Sequence, residues 1–384
     1  MQGKSDCIHS DFADENLFDR NFPGLSDSIV LYGAGNLGRR TLQGLRSHGI
    51  EPKVFVDKNE KLWGSQIDGL RVCSPEEAVE KFGKEAVFII TIWMRLSGHR
   101  FIDTRAMLAK LGCAYISPFA WIFLKYPATF LPFWSLDMPS KLLERLAEIN
   151  EVQDYLSDSL SKETFKSLIQ WRFTLDFSIF PVPNRQEQYF KLPFFHLSDQ
   201  ETFIDCGAFD GDTIRDFLQC TKSRFSSIVA FEPDKQNHSK LEQYINSLPE
   251  EYRNKIVAYP YALGKEAGKI LFREEGGMSS SISTISGRMV PIVALQELLQ
   301  VATYIKMDIE GAEYDALVGA IHLIKRNRPI LAIAVYHTPD DIWRIAHYLG
   351  GQLSEYRYYL RSHAQEGEDT VLYVVPKERM IKQV

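Results

Sequence analysis

The chain has 384 residues, of which 45% are hydrophobic and 24% charged, a composition that suits two or three soluble domains. Its net charge of −6 argues against nucleic acid as a partner, which needs a basic footprint, and no apolar run approaches the roughly 20 residues of a membrane span. Five cysteines (Cys7, Cys73, Cys113, Cys206 and Cys220) are scattered without a C-x-x-C pair, which points to reduced thiols in a cytoplasmic setting rather than a disulfide framework or a zinc site.

Residues 1–25 form a polar segment, and Asp6, Asp11, Asp14 and Glu15 are unlike a signal peptide. A Rossmann-like nucleotide-binding domain is expected over 26–125. Ile29–Tyr32 reads as a strand, Gly33, Gly35 and Gly38 make G-x-G-x-x-G, and a helix follows to about His48. The next strand, Lys53–Val56, ends at Asp57, about 20 residues beyond Gly38, where a dinucleotide fold places its ribose-binding acid. The loop itself carries no acid, and Arg39 and Arg40 follow it, so a pyrophosphate is tolerated. Further strands are expected at Ala86–Ile92 and Ala114–Ile116, with helices at Pro75–Phe82 and Arg100–Leu111. Two readings stay open here: a site for NAD or a nucleotide sugar, or a unit kept for packing and partner recognition. No acid or base for hydride transfer can be assigned nearby, and His99 reads as a solvated loop residue.

Residues 126–196 read as a helical connector. Leu142, Leu143, Leu146, Ile149, Val152 and Leu156 recur at helical spacing, and Ser161 is placed to cap a second helix that Phe180-Pro-Val-Pro-Asn184 ends. Trp171, Tyr189, Phe190, Phe194 and Phe195 are expected in the core, with a share of them available to an acceptor cleft.

The last domain is expected over 197–384. A strand ends at Asp205, a turn with Gly207, Ala208, Gly211, Asp212 and Thr213 follows, and Ile214 to Phe217 reads as helix. A pyrophosphate on such a turn needs backbone N–H groups and no competing acid. Asp205, Asp210 and Asp212 would repel it and suit a ligand with an ammonium and a sulfonium, namely S-adenosylmethionine. A second strand, Ser227–Phe231, leads to Glu232, placed to accept hydrogen bonds from both ribose hydroxyls. A third, Lys255–Tyr259, leads to Tyr261–Gly264, where Ala262 would wall the adenine. Short extended pieces at Ile270–Arg273 and Met289–Ile292 flank a small-residue loop, Gly276–Ser283. A fourth strand runs into the acidic turn Asp308-Ile-Glu-Gly-Ala-Glu313, a fifth ends at His337, and Arg357–Leu360 with Thr370–Val375 form a closing antiparallel hairpin.

A hydroxyl is a weak nucleophile and needs a general base or a metal. Asp308, Glu310 and His337 are the candidates, with Glu313 beside them. Either His337 or Asp308 takes the proton, or the carboxylates and His337 hold a divalent cation, for which oxygen ligands suit magnesium or manganese. The bland alternative is an ion-pair network of these acids with Lys306.

Several ordered motifs over this last domain resemble the FkbM family of S-adenosylmethionine-dependent methyltransferases: Phe203-Ile-Asp-Cys-Gly-Ala-Phe-Asp-Gly-Asp-Thr213, Ala230-Phe-Glu-Pro-Asp234, Ala262-Leu-Gly264, Ile305-Lys-Met-Asp-Ile-Glu-Gly-Ala-Glu313, Val335-Tyr-His337, and Arg361-x-His363 with Asp369-Thr-Val-Leu-Tyr373. Ala294-Leu-Gln-Glu297 departs from relatives that carry an Asp after the Leu. The resemblance implies a seven-stranded class I methyltransferase sheet and O-methylation of a sugar, glycan or secondary-metabolite hydroxyl. The N-terminal unit resembles nucleotide-binding domains attached to polysaccharide-biosynthesis proteins. The expectation is thus an α/β protein with two Rossmann-like domains joined by a helical connector, acting on a small-molecule or glycan acceptor, with homo-oligomerisation left open. The rival readings are a non-catalytic nucleotide-binding protein and an NAD-dependent oxidoreductase using the N-terminal glycine loop.

Overall fold

The structure is a computed structural model that describes residues 12–93, 100–184, 188–273, 281–282 and 287–381. The chain divides into two compact units. The first comprises Met1–Leu146, Lys166–Val182 and Ala364–Glu368; the second comprises Ala147–Phe165, Pro183–His363 and Asp369–Val384. Residues 126–196 are thus apportioned between the two.

In the first unit six strands form one sheet: β1 (Ile29–Tyr32), β2 (Phe55–Val56), β3 (Gln66–Ile67), β4 (Leu70–Cys73), β5 (Val87–Ile90) and β6 (Tyr115–Pro118), in the order β3-β4-β2-β1-β5-β6. All neighbours are parallel except β3 and β4. β1 and β5 are buried along their whole length, as unbroken apolar runs require in a sheet covered on both faces. The order reverses between β1 and β5, the position at which doubly wound sheets open a crevice. The helix Pro75–Phe82 starts where its sequence says it should: Ser74 Oγ accepts the Glu77 N–H at 3.1 Å, and Pro75 opens the first turn. Residues 12–25, expected as a polar segment, contribute Phe18 and Phe22 to this unit's core; four residues apart, they lie on one helix face. Trp171, Phe119, Phe123 and Phe130 belong to the same core.

In the second unit a seven-stranded sheet has the order β16-β17-β15-β14-β7-β8-β9. Its strands are β7 (Thr202–Cys206), β8 (Ser227–Phe231), β9 (Ile256–Tyr259), β14 (Tyr304–Met307), β15 (Ile330–Ala334), β16 (Tyr356–Ser362) and β17 (Thr370–Pro376). The first five are parallel, and β17 is antiparallel to both its neighbours, which is the expected closing hairpin. A smaller sheet of β10 (Ala262–Leu263), β11 (Gly268–Arg273), β12 (Ser281–Ile282) and β13 (Arg288–Val293) is inserted between β9 and β14 in the chain. Most of the Gly276–Ser283 loop lies outside the described residues, as does His99. Phe190, Phe203, Phe217 and Tyr304 pack into the core, as do Tyr189, Phe194 and Phe195.

The helical run expected over Ser140–Leu156 is two helices, Pro139–Leu143 and Leu146–Tyr155. Ser161 is not a cap. Asp158 takes that place ahead of the helix Ser159–Thr174, its carboxylate accepting the Ser161 N–H at 2.8 Å, because an acid caps as well as a serine and stands three residues earlier. Among the described residues no helix is long and apolar enough to cross a membrane.

Candidate active site

Four adjacent strands bring the second unit's candidates to one edge. β8, β7, β14 and β15 run parallel with Phe231, Cys206, Met307 and Ile333 in register, so Glu232, Gly207 and Asp308 each step past the same carboxyl edge. Parallel sheets gather ligands there.

The turn after β7 needs its glycines. Gly207 has φ +83°, and a Cβ on it would stand 2.0 Å from the Asp308 carbonyl oxygen. The N–H groups of Gly207 and Ala208 both donate to Phe231 O at 3.0 Å, tying the turn to β8. Gly211 (φ +88°) stands at the start of the helix Asp212–Thr221, where a Cβ would meet Tyr244 at 2.6 Å. Thr213 N–H donates to Asp212 Oδ1 at 2.7 Å.

Asp205 is fully buried, with Lys306 Nζ 3.3 Å from its Oδ1. This is an ion pair without hydrogen-bond alignment: neither Asp205 oxygen accepts a hydrogen bond from the described residues, while Lys306 donates to Gly207 O at 2.6 Å. Burial pushes the Asp205 carboxyl up to about 6, against the pull of Lys306 and with repulsion from Asp212 and Asp308 added. Burial would lower the Lys306 ammonium, but Asp205, Asp308 and Asp212 more than offset it and hold the group charged. Of the three loop acids, Asp210 is engaged with Arg215. Asp212 is exposed on the first turn of its helix with its Oδ1 accepting the Thr213 N–H, so of the three only Asp205 is buried.

Glu232 is buried at the end of β8. Its Oε2 accepts the Phe209 N–H at 2.9 Å and its Oε1 the Asp234 N–H at 2.8 Å. Burial pushes its carboxyl up to about 7 despite those two bonds. Ala262 lies in β10, paired with Ile292 in the small sheet rather than in the seven-stranded one.

Beyond β14 and β15 the acidic turn and His337 converge. Glu313 is wholly buried and closes the turn on itself, its Oε1 accepting the Ile309 N–H at 2.7 Å and its Oε2 the Gly311 N–H at 3.0 Å. The same Oε1 lies 2.8 Å from His337 Nδ1. His337 Nε2 is then directed at Asp308 Oδ1, 3.3 Å away, and Glu310 Oε2, 3.8 Å away. Burial would lower the imidazolium, but Glu313, Asp308 and Glu310 hold it up at about 10. Asp308, Glu313 and His337 can each present one ligand atom within 4.8 Å of the others, so a divalent cation fits the donor set. Glu310 has φ +57°, the backbone strain common at functional turns.

Two residues named from sequence were given no part in this cluster. Tyr189 donates from its hydroxyl to Asp308 Oδ2 at 3.1 Å, and Tyr336 lies 3.5 Å from Asp308 Oδ1. Tyr336 adjoins His337 and could have been suspected. Tyr189 stands 119 positions before Asp308, in a segment read as core, and no local pattern marks it.

In the first unit the glycine motif has the geometry its spacing implies. A Cβ on Gly38 would lie 1.9 Å from Gly33 O, so the helix packs directly on the loop, while Gly35, at the start of the helix Asn36–Ser47, faces open space. Asp57 Oδ2 accepts the Ala34 N–H at 3.0 Å, which brings the acid to the loop. Arg39 pairs with Asp68, and Arg40 donates to Phe130 O; both arginines are engaged within the unit.

The model of the methyltransferase FkbM domain matches residues 205–366. No curated relative matches the chain in sequence. In three dimensions the chain is similar to the methyltransferase FkbM from Methylobacillus flagellatus KT, with a TM-score of 0.79, 20% identity, and 94% of each chain covered. At that identity the likeness speaks for the fold. The matched span runs from Asp205 to Glu366 and takes in the glycine turn, Glu232, the acidic turn and His337. Residues 205–366 therefore match an FkbM methyltransferase domain, and that match supports a methyltransferase.

Proposed function

We propose that the second unit transfers the methyl group of S-adenosylmethionine to oxygen, on a hydroxyl of a sugar, glycan or secondary metabolite. The observation that carries this reading is the buried Asp205, whose two oxygens accept no aligned hydrogen bond from the described residues even with Lys306 Nζ 3.3 Å from one of them, which leaves acceptor capacity for a further cationic donor. Asp205 and Asp212 suit an ammonium, and Glu232, one strand away, suits a pair of ribose hydroxyls, so the residues fit this group. When bound, it supplies a methyl on positively charged sulfur, open to in-line displacement.

The protein's own share is alignment and proton management. Glu313 holds His337 through Nδ1 and so fixes the direction of Nε2. Tyr189 and Tyr336 orient Asp308. The acceptor hydroxyl must lose its proton as its oxygen is methylated. Asp308 takes that proton directly, or the carboxylates of the acidic turn, Asp308 and Glu313 above all, would hold with His337 a divalent cation that would lower the hydroxyl's pKa. A cation at this point would also displace the proton from the imidazolium.

Calorimetric titration with S-adenosylmethionine and with NAD(H), on the protein and its Glu232→Ala variant, tests the reading. Binding of S-adenosylmethionine that weakens in the variant is expected. Unaltered affinity in a folded Glu232→Ala protein refutes the assignment, and no binding at all favours the non-catalytic reading.

A second ligand is favoured by one observation in the first unit, the Asp57 carboxylate held against the glycine loop at Ala34. NAD or a nucleotide sugar is the ligand proposed there.

A further inference from the structure

A cleft of about 570 Å³ opens in the second unit between the acidic turn and the turn that joins β10 to β11. The volume lies within the roughly 300–1,000 Å³ of small-molecule sites. Glu310, Asp315 and Thr338 line one wall; Leu263, Ile270 and Ile292 line the other. Neither Asp205, nor the turn from Gly207 to Thr213, nor Glu232 lines it; of the stretch read as the adenine wall, Leu263 and Gly264 do, so the cleft adjoins the cofactor's residues at one end only. It does share Glu310 with the reacting cluster, where Oε2 lies 3.8 Å from His337 Nε2.

Resting on the methyl-transfer reading above, we propose that this cleft seats the methyl acceptor and that the group it takes is an uncharged polyhydroxylated ring. Carboxylates accept hydrogen bonds and cannot donate them, so Glu310 and Asp315 call for a ligand rich in O–H donors. They repel a carboxylate or phosphate placed between them. The apolar wall of Leu263, Ile270 and Ile292 suits the C–H face of a sugar ring. Lys265 on the exposed turn and Lys269 at the start of β11 are two cations against the three acids Glu266, Glu310 and Asp315 of the lining, so the cleft as a whole carries no net positive charge to recruit anions. Ala267, at the tip of that turn, is exposed and can be enlarged without disturbing the core.

Saturation-transfer NMR on the full chain tests this, with a panel of neutral methyl hexopyranosides and one methyl hexuronide as probes, with and without S-adenosylhomocysteine. At least one neutral glycoside is expected to give transfer, and the hexuronide at least tenfold less. Ala267→Leu and Asp315→Ala are each expected to abolish the neutral signal while S-adenosylhomocysteine affinity stays within twofold. The proposal is overturned if no neutral glycoside binds, if the hexuronide binds equally, or if the signal survives both substitutions. It is also overturned if Ala267→Leu weakens S-adenosylhomocysteine tenfold, since the cleft then belongs to the cofactor. Failure of wild-type protein to bind S-adenosylhomocysteine would strike at the methyl-transfer reading instead, and the glycoside experiment without it still decides the cleft.

Discussion

A Cβ placed on Gly207 would stand 2.0 Å from the carbonyl oxygen of Asp308. The turn that follows β7 and the acidic turn that follows β14 are therefore packed backbone to backbone, and with φ +83° only glycine meets both demands at 207. Gly207→Ala should cost about 1–3 kcal/mol from the backbone conformation alone, before the clash is added. Thermal denaturation should show a drop of several degrees, and any folded fraction should bind S-adenosylmethionine weakly. An alanine variant with unchanged stability and affinity would mean that the two turns do not meet as described.

Glu232 gives a prediction that runs in two directions. Its charged hydrogen bonds to a ribose should contribute about 1.5–3 kcal/mol, so Glu232→Ala should weaken S-adenosylmethionine binding roughly 10- to 100-fold. In the ligand-free protein the same carboxylate is a burden. Its folded pKa of about 7 exceeds the ordinary 4.5, so between those values the folded state holds a proton that the unfolded state has lost. Stability from this group therefore falls as pH rises through that window. The melting temperature of Glu232→Gln minus that of wild type should become more positive from pH 5 to pH 8, whatever its starting value. A difference that is flat with pH removes the buried-acid argument.

The reacting cluster separates binding from turnover. His337→Ala and Glu310→Ala should bind S-adenosylmethionine within a few-fold of wild type, yet methylate roughly 10²–10⁴-fold more slowly once an acceptor is in hand. Chelator treatment divides the two proton routes. Activity lost to chelator and restored by magnesium or manganese supports a cation held by His337 and the carboxylates of the acidic turn; activity indifferent to chelator leaves Asp308 as the base.

Tyr189 should behave as a positioning residue. Its hydroxyl meets Asp308 Oδ2 at 3.1 Å, and its backbone is pinned by Tyr373 and Tyr304, in the left-handed region at φ +71°. Tyr189→Phe should remove about 1 kcal/mol of orientation, roughly a fivefold fall in kcat, with KM for S-adenosylmethionine unchanged. The pH profile of kcat should shift as Asp308 loses a donor. A stability change without any kinetic change would make Tyr189 a core residue and nothing more.

Local signals carried most of the second unit. β7, β8 and β14 are largely apolar runs followed at once by glycine or an acid, and β15 is one that leads through Val335 and Tyr336 to His337; such runs announce both the strand and the loop beyond it. Asp205, Glu232, Asp308 and His337 were legible because each stands at that junction. What the sequence hid depends on distance along the chain. Tyr189 reaches Asp308 from 119 residues away, and the cleft wall at Leu263 and Ile292 exists only once β10 pairs with β13. Ser161 was misread for the opposite reason: a good local signal was outranked by Asp158, an equally good one just ahead of it. Phe18 and Phe22 were masked by the acids around them.

The first unit supplies the last prediction. Asp57 accepts hydrogen bonds from Ala34 N–H at 3.0 Å and Asn59 N–H at 2.9 Å, so it organises the glycine loop even before a ligand arrives. Asp57→Ala should therefore lower the melting temperature by an amount worth about 1–3 kcal/mol. That loss by itself does not distinguish a working site from packing. The distinction lies in linkage. If NAD or a nucleotide sugar binds beside Gly33, Gly35 and Gly38, a ligand at 100 times its Kd should stabilise wild type by about 2.7 kcal/mol. The same ligand should stabilise Asp57→Ala less, because the ribose loses its acceptor. Asp57→Asn keeps an oxygen for Ala34 and should recover much of the stability while recovering little of the ligand shift. Thermal shifts across a panel of NAD(H), NADP(H) and nucleotide sugars check this. Equal shifts in all three proteins would place the ligand elsewhere, and no shift with any member would leave the first unit as a packing or partner-recognition module.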